Sequence, residues 1–314
     1  YIIFTGIMSI ASTTALIYGT LIGSIIMSLL LFIWTFSDIK SHFKNNFSNI
    51  KVLLLKYRQF PVYYVGNDLV YRAKQAAIII IITYFFSSSI AGHYGMALLI
   101  LAIPTTLIGS SISEVFYQKI SFNNSSQTKE VSIRLFNFLC FGFFFGYIFL
   151  SISSYKLLPF FLGDKWFDAG ILISILSMLF FTEFIFSPCH SILKVKNKQE
   201  YLFIYQLVLI IFSLASLFIG GIYNNYYLSF ILYSASNTII TIILGLLTFK
   251  LISINPKQIL KILFKTLFYS FFPLILILVI NASYDLNIIS MFLLGIISII
   301  LYFVIILKFE ISFK

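Results

Sequence analysis

Long apolar runs recur along this chain, and short lysine-bearing polar breaks separate them. Nine segments read as membrane spans: residues 10–36, 62–87, 92–117, 135–158, 168–192, 201–220, 226–249, 263–281 and 286–307. An α-helix rises 1.5 Å per residue, so about 20 residues cover the roughly 30 Å hydrocarbon core, and the longer runs fit with tilt. Composition leads to the same place. The 314 residues are 60% hydrophobic and 10% charged, with a mean hydropathy of +1.02, whereas a soluble domain carries roughly a quarter charged residues. The expected fold class is all-α: a polytopic membrane protein with about nine transmembrane helices.

A net charge of +11 on a soluble protein would point to nucleic acid. The placement of the charge excludes that partner here. Seventeen of the 21 basic residues fall on one set of alternate loops: Lys40 to Arg58, Lys119 to Arg134, Lys194 to Lys198, Lys250 to Lys265, and Lys308 with Lys314. The other set holds Lys156 and Lys165, while Arg72 and Lys74 lie inside the second span. The positive-inside bias puts the first set in the cytoplasm, against an anionic lipid leaflet, and the loops near Ser88, Lys165, Asn224 and Tyr284 outside. Adding or removing one span would scramble the alternation.

The outer loops are too short to fold into a catalytic domain. On the cytoplasmic side the longest loop is residues 37–61, and no GxxxxGK[ST] phosphate-binding pattern occurs. Neither a catalytic constellation nor a cofactor site is expected. Cys140 and Cys189 sit in apolar segments without CxxC spacing, and His42, His93 and His190 share no ligand spacing, so no metal is expected either. The first residue, Tyr1, lies in apolar sequence without an initiator Met or a charged leader. The expectation is a chain lacking its true N-terminus.

Charges within spans carry the most information, because each costs about 2.5–3.5 kcal/mol on insertion scales. Arg72, Lys74 and Glu183 qualify, with Asp68 and Glu114 nearer the span ends. Asp68, Arg72 and Lys74 fit two readings. Either they snorkel to the cytoplasmic headgroups, or Arg72 and Lys74 face a hydrated cavity and hold an anionic headgroup, guanidinium offering paired contacts and ammonium a point charge. Glu183 lies too deep to snorkel and reads as a cavity-facing proton or cation site. Glu114 reads as a gate or surface position. Pro104, Pro188 and Pro273 should kink their spans, the first two as candidate gating or structural positions.

Three stretches give a resemblance. Lys56-Tyr-Arg-Gln-Phe-Pro61 enters a helix. Ala91-Gly-His-Tyr-Gly95 leads through Ile103-Pro-Thr-Thr-Leu-Ile-Gly109 to Glu114-Val-Phe116. Leu162-Gly-Asp-Lys-Trp166 leads through Ala169-Gly170 and Ser187-Pro188 to Lys196-Asn-Lys-Gln199. In order and spacing these resemble the polysaccharide and O-antigen flippase family of the multidrug/oligosaccharidyl-lipid/polysaccharide exporter superfamily, over residues 56 to about 206. The resemblance implies two six-helix bundles around a central basic cavity, alternately open to the two sides, with two extra C-terminal helices in some members. On this mapping residues 1–61 hold the last helix of the first bundle and a cytoplasmic linker. Residues 62–249 form the second bundle, and residues 250–314 form the extra pair.

The implied cargo is an undecaprenyl-pyrophosphate-linked oligosaccharide, carried across a bacterial cytoplasmic membrane for O-antigen, capsule or exopolysaccharide synthesis. Arg72 and Lys74 are then candidates for the pyrophosphate and Glu183 for cargo or coupling. Glycan polymerase and glycosyltransferases are the implied partners. Two other classes compete. A membrane enzyme of glycan assembly needs a sizeable outer loop or paired acids at a membrane face. A drug or cation exporter of the same superfamily would use Glu183 alone and have no need of Arg72 or Lys74.

Overall fold

The computed structural model describes residues 15–43, 63, 65–122, 124–283 and 288–309, and every regular element among them is helical. The chain divides into two compact units, Tyr1–Arg58 and Gln59–Lys314. In the first unit the described element is α1, Ala15–Phe43, with an apolar window at Leu21–Phe36. Its polar side chains do not interrupt it, because Ser28 and Thr35 return their hydroxyls to the carbonyls of Ser24 and Leu31 at 2.8 and 2.7 Å. A hydroxyl satisfied in this way is tolerated where no water is present. The Lys56–Pro61 stretch lies outside the described residues.

The second unit contains α2 (Gly66–Phe85), α3 (Ser88–Pro104), α4 (Ser110–Phe122), α5 (Ser125–Leu162), α6 (Phe167–Phe186), α7 (His190–Val195), α8 (Gln199–Ile222), α9 (Tyr226–Leu251), α10 (Pro256–Ser283) and α11 (Ile288–Phe309). Five helical runs among the described residues are long and apolar enough to cross a bilayer: Ser88–Phe122, Ser125–Leu162, Asp164–Phe186, Gln199–Ile222 and Tyr226–Leu251. This is a polytopic all-α membrane protein. The α2 helix misses that criterion of apolarity because Asp68, Arg72 and Lys74 all lie along it.

Several expected bounds shift for local reasons. The span read at 135–158 is part of a 38-residue helix, Ser125–Leu162. Its N-terminus is fixed by a reciprocal cap between Asn124 and Gln127, and an Arg134–Glu130 pair one turn apart carries the helix through its polar start. At its other end Gly163, at φ 93°, adopts a backbone that suits glycine and turns the chain into α6. The span read at 168–192 stops at Phe186. A turn containing Pro188 follows, and α7 begins at His190. Pro104 ends α3 and is followed by a π-turn over Thr105–Gly109 before α4, so the expected kink takes the form of a local widening.

The α6 helix sits at the centre, packing on α3, α5 and α9. Between helices in lipid the hydrophobic effect is weak, and close packing with hydroxyl hydrogen bonds replaces it. The α5–α6 contact shows how. Gly170 lies so near α5 that a Cβ there would stand 2.6 Å from the Ser154 carbonyl oxygen. The Ser154 hydroxyl donates to the Gly170 carbonyl at 2.7 Å, and Ser151 donates to that of Ser174 at 2.9 Å. Aromatic side chains fill the wider gaps: Phe144 meets Phe181 and Phe143 meets Phe184, each with ring centroids 4.8 Å apart. Cys140 and Cys189 are buried thiols in this core. The α10–α11 pair lies against α5, where Tyr302 stacks on Phe145.

Candidate functional site

Helix packing around α6 closes a ring. The α2 helix packs on α3 and α8, α8 on α9, α9 on α6, and α6 on α3. On α2, Lys74, Ile78 and Ile82 repeat every four residues, and this stripe is the buried face of the helix. Lys74 is therefore drawn into the bundle with only 3% of its surface exposed. Arg72 is two residues earlier, about 200° around the helix. It lies on the exposed face, where its Nε donates to Asp68 at 2.8 Å. One of the two sequence readings placed both cations toward one anionic headgroup, and the structure puts them on different faces of α2.

Glu183 comes from the middle of α6. Its neighbours Phe181, Thr182, Phe184 and Ile185 are buried to 1% exposure or less, whereas Glu183 keeps partial access. The Lys74 ammonium and the Glu183 carboxylate are within electrostatic reach of each other. The ammonium also lies 5.6 Å from the centroid of the Tyr71 ring. Tyr94 on α3, Tyr147 on α5, Tyr205 on α8 and Tyr233 on α9 lie within reach of the same carboxylate. Helices α2, α3, α5, α8 and α9 thus each bring a polar group within electrostatic reach of Glu183.

Hydrogen bonds hold the frame of this interior. Tyr205 and Thr241 share a 2.9 Å contact between α8 and α9, and the Ser213 hydroxyl donates to the Asn237 side-chain oxygen at 3.0 Å. Tyr94 stacks on Phe230. Chemically, the arrangement is an ammonium, a carboxylate and several hydroxyls inside apolar helices. It can hold charge or a proton at membrane depth, where an isolated charge would be costly.

At the far end of the ring a second polar cluster joins α3, α6 and α9. Asp168 accepts hydrogen bonds from the Tyr226 and Tyr227 hydroxyls at 3.0 and 3.4 Å, and His93 Nδ1 lies 3.8 Å from its other oxygen. None of these contacts was read from the sequence. Glu114 stands exposed on α4, Pro104 at the π-turn and Pro188 at the α6–α7 turn.

A family model described as polysaccharide biosynthesis protein matches residues 3–171, more than half of the chain. The chain belongs to this family. The match takes in two of the three stretches that carried the resemblance and the beginning of the third, and it includes Arg72 and Lys74, while Glu183 lies beyond it. No curated protein and no solved structure matches the chain. With its membrane-crossing helices, the polysaccharide biosynthesis protein does its work in a membrane.

Proposed function

We propose that this polysaccharide biosynthesis protein is a transporter that carries a lipid-linked oligosaccharide across the bacterial cytoplasmic membrane by alternating access. The observation that supports the reading is the pair of opposite charges, Lys74 and Glu183, within a ring of helices, in a chain whose family serves glycan synthesis. Moving a pyrophosphate and sugars through hydrocarbon is the physical barrier, and a polar interior lowers it while the prenyl tail stays in lipid. Arg72, on the exposed face of α2 beside Asp68, is the candidate for the cargo's pyrophosphate. Lys74 and Glu183 are the candidate internal charges whose balance changes during the cycle, with Glu114, Pro104 and Pro188 as candidate gating positions. Glycosyltransferases and a polymerase acting before and after the transfer step are the proposed partners.

The test is the fate of the cargo in cells. Deleting the gene should strip surface glycan while undecaprenyl-pyrophosphate-linked oligosaccharide accumulates on the inner leaflet. If the missing product is instead an altered sugar linkage or chain length, with no accumulated intermediate, the chain is an enzyme of glycan assembly.

A further inference from the structure

The α10 helix has two unlike faces. Ile259, Ile262, Thr266 and Ser270 are buried on one, and the two hydroxyls return to backbone carbonyls of the same helix at 2.9 and 2.8 Å. The opposite face is open. Lys257 and Lys261 stand on it one turn apart, and Leu260, Phe264, Leu267, Phe268 and Phe271 continue it, all exposed. A recess of about 550 Å³ runs along this face, lined by Lys257, Leu260, Lys261, Leu263, Phe264 and Leu267. The Asn255 side chain accepts from the Lys257 amide at 3.0 Å, and Ile252 and Ile254 are buried just before it, so the start of the helix is held in place.

The charge on this face is uncompensated. Lys257, Lys261 and Lys265 repeat every four residues, a spacing at which like charges repel, and α10 carries no acidic residue from Pro256 to Ser283. Elsewhere Arg72, Arg134 and Lys198 each have a carboxylate, from Asp68, Glu130 and Glu200. Among the described residues Lys257 and Lys261 have no such partner. We propose that the open face of α10 binds an anionic glycerophospholipid, its phosphate on the Lys257 and Lys261 ammonium groups and its acyl chains along Leu260, Phe264 and Leu267. Length and charge together select this occupant. From Leu260 to Phe271 the helix rises about 16 Å, close to the hydrocarbon depth of one leaflet, half of roughly 30 Å. Cations at one end of an apolar row of that length match a lipid's headgroup and chains, and basic pockets beside membrane helices take anionic headgroups in this way. A soluble acidic peptide would leave the exposed phenylalanines uncovered. The α10 helix is outside the ring that holds Lys74 and Glu183, so this site does not depend on the proposed cargo.

The experiment is native mass spectrometry of the full-length protein in detergent, with phosphatidylglycerol and phosphatidylethanolamine of the same chain length as probes. Wild type should bind phosphatidylglycerol about tenfold more tightly, because the ethanolamine ammonium answers its own phosphate and leaves the lysines unpaired. Lys257→Gln combined with Lys261→Gln should erase that preference. Both side chains are exposed and repel each other, so without lipid the variant should unfold at no lower temperature than wild type. Added phosphatidylglycerol should raise the unfolding midpoint of wild type more than that of the variant. Lys119→Gln combined with Lys129→Gln removes the same charge from α4 and α5 and should keep the preference. Equal binding of the two lipids by wild type, an unchanged preference in the α10 variant, or the same loss in the α4 and α5 variant would overturn the proposal. So would displacement of phosphatidylglycerol by undecaprenyl phosphate at equal concentration, which would assign the face to a prenyl carrier.

Discussion

Lys74 of α2 and Glu183 of α6 sense each other across the interior of the helical ring without closing to a salt bridge. Neither helix packs directly on the other; α3 lies between them on one side, and α8 with α9 on the other. Each charge is therefore the other's compensation inside an apolar shell. A pair of this kind is sensitive to the loss of one member, since the survivor is left uncompensated.

Lys74→Met should lower the thermal unfolding midpoint in detergent more than Lys74→Met combined with Glu183→Gln. The coupling in the double-mutant cycle should be about 1 kcal/mol or more. Additive effects would show that the two groups do not interact.

Arg72→Ala should leave the unfolding midpoint unchanged, because its guanidinium and the Asp68 partner are both largely exposed. Surface glycan should nonetheless fall if Arg72 holds the cargo's pyrophosphate, and immunoblotting for glycan at equal protein level reads this. Wild-type display would remove Arg72 from the cargo path.

Gly170→Val forces a side chain into the Ser154 and Tyr155 backbone. Overpacking of a tight contact costs about 1–3 kcal/mol, so folded protein recovered from membranes should drop. Ser154→Ala removes only a hydroxyl and should cost about 0.6 kcal/mol, the average found for hydrogen bonds between membrane helices. Reversal of that order would mean α5 and α6 do not pack through Gly170.

Tyr226→Phe removes one of the two phenol donors to Asp168. About 1 kcal/mol of stability should go with it, and Asp168→Ala should cost more by releasing Tyr226, Tyr227 and His93 together. Unfolding of the two variants in the same detergent checks the ranking.

Much of this fold was legible because apolar length is a strong signal. The runs at 201–220 and 226–249 became α8 and α9 with bounds moved by a few residues. Where the sequence misled, a local interaction overrode composition: the Asn124–Gln127 cap and the Glu130–Arg134 pair extend α5 through residues that look like loop. The candidate site was partly legible. Glu183 stood out as a mid-span carboxylate, and the Lys74-Ile78-Ile82 stripe separates Lys74 from Arg72 by helical period. Four tyrosines around Glu183 come from four helices, and no local pattern links them.

Passage of a lipid-linked oligosaccharide through the helical interior is the step the proposed function requires. Reconstituting the full-length protein into vesicles loaded with undecaprenyl-pyrophosphate-linked oligosaccharide tests it directly, with glycan exposed at the outer leaflet read by an added glycosidase. Wild type should speed glycan exposure well above protein-free vesicles, and Glu183→Gln, folded and inserted to the same level, should not. Exposure no faster than in protein-free vesicles, or equally fast with Glu183→Gln, would contradict it.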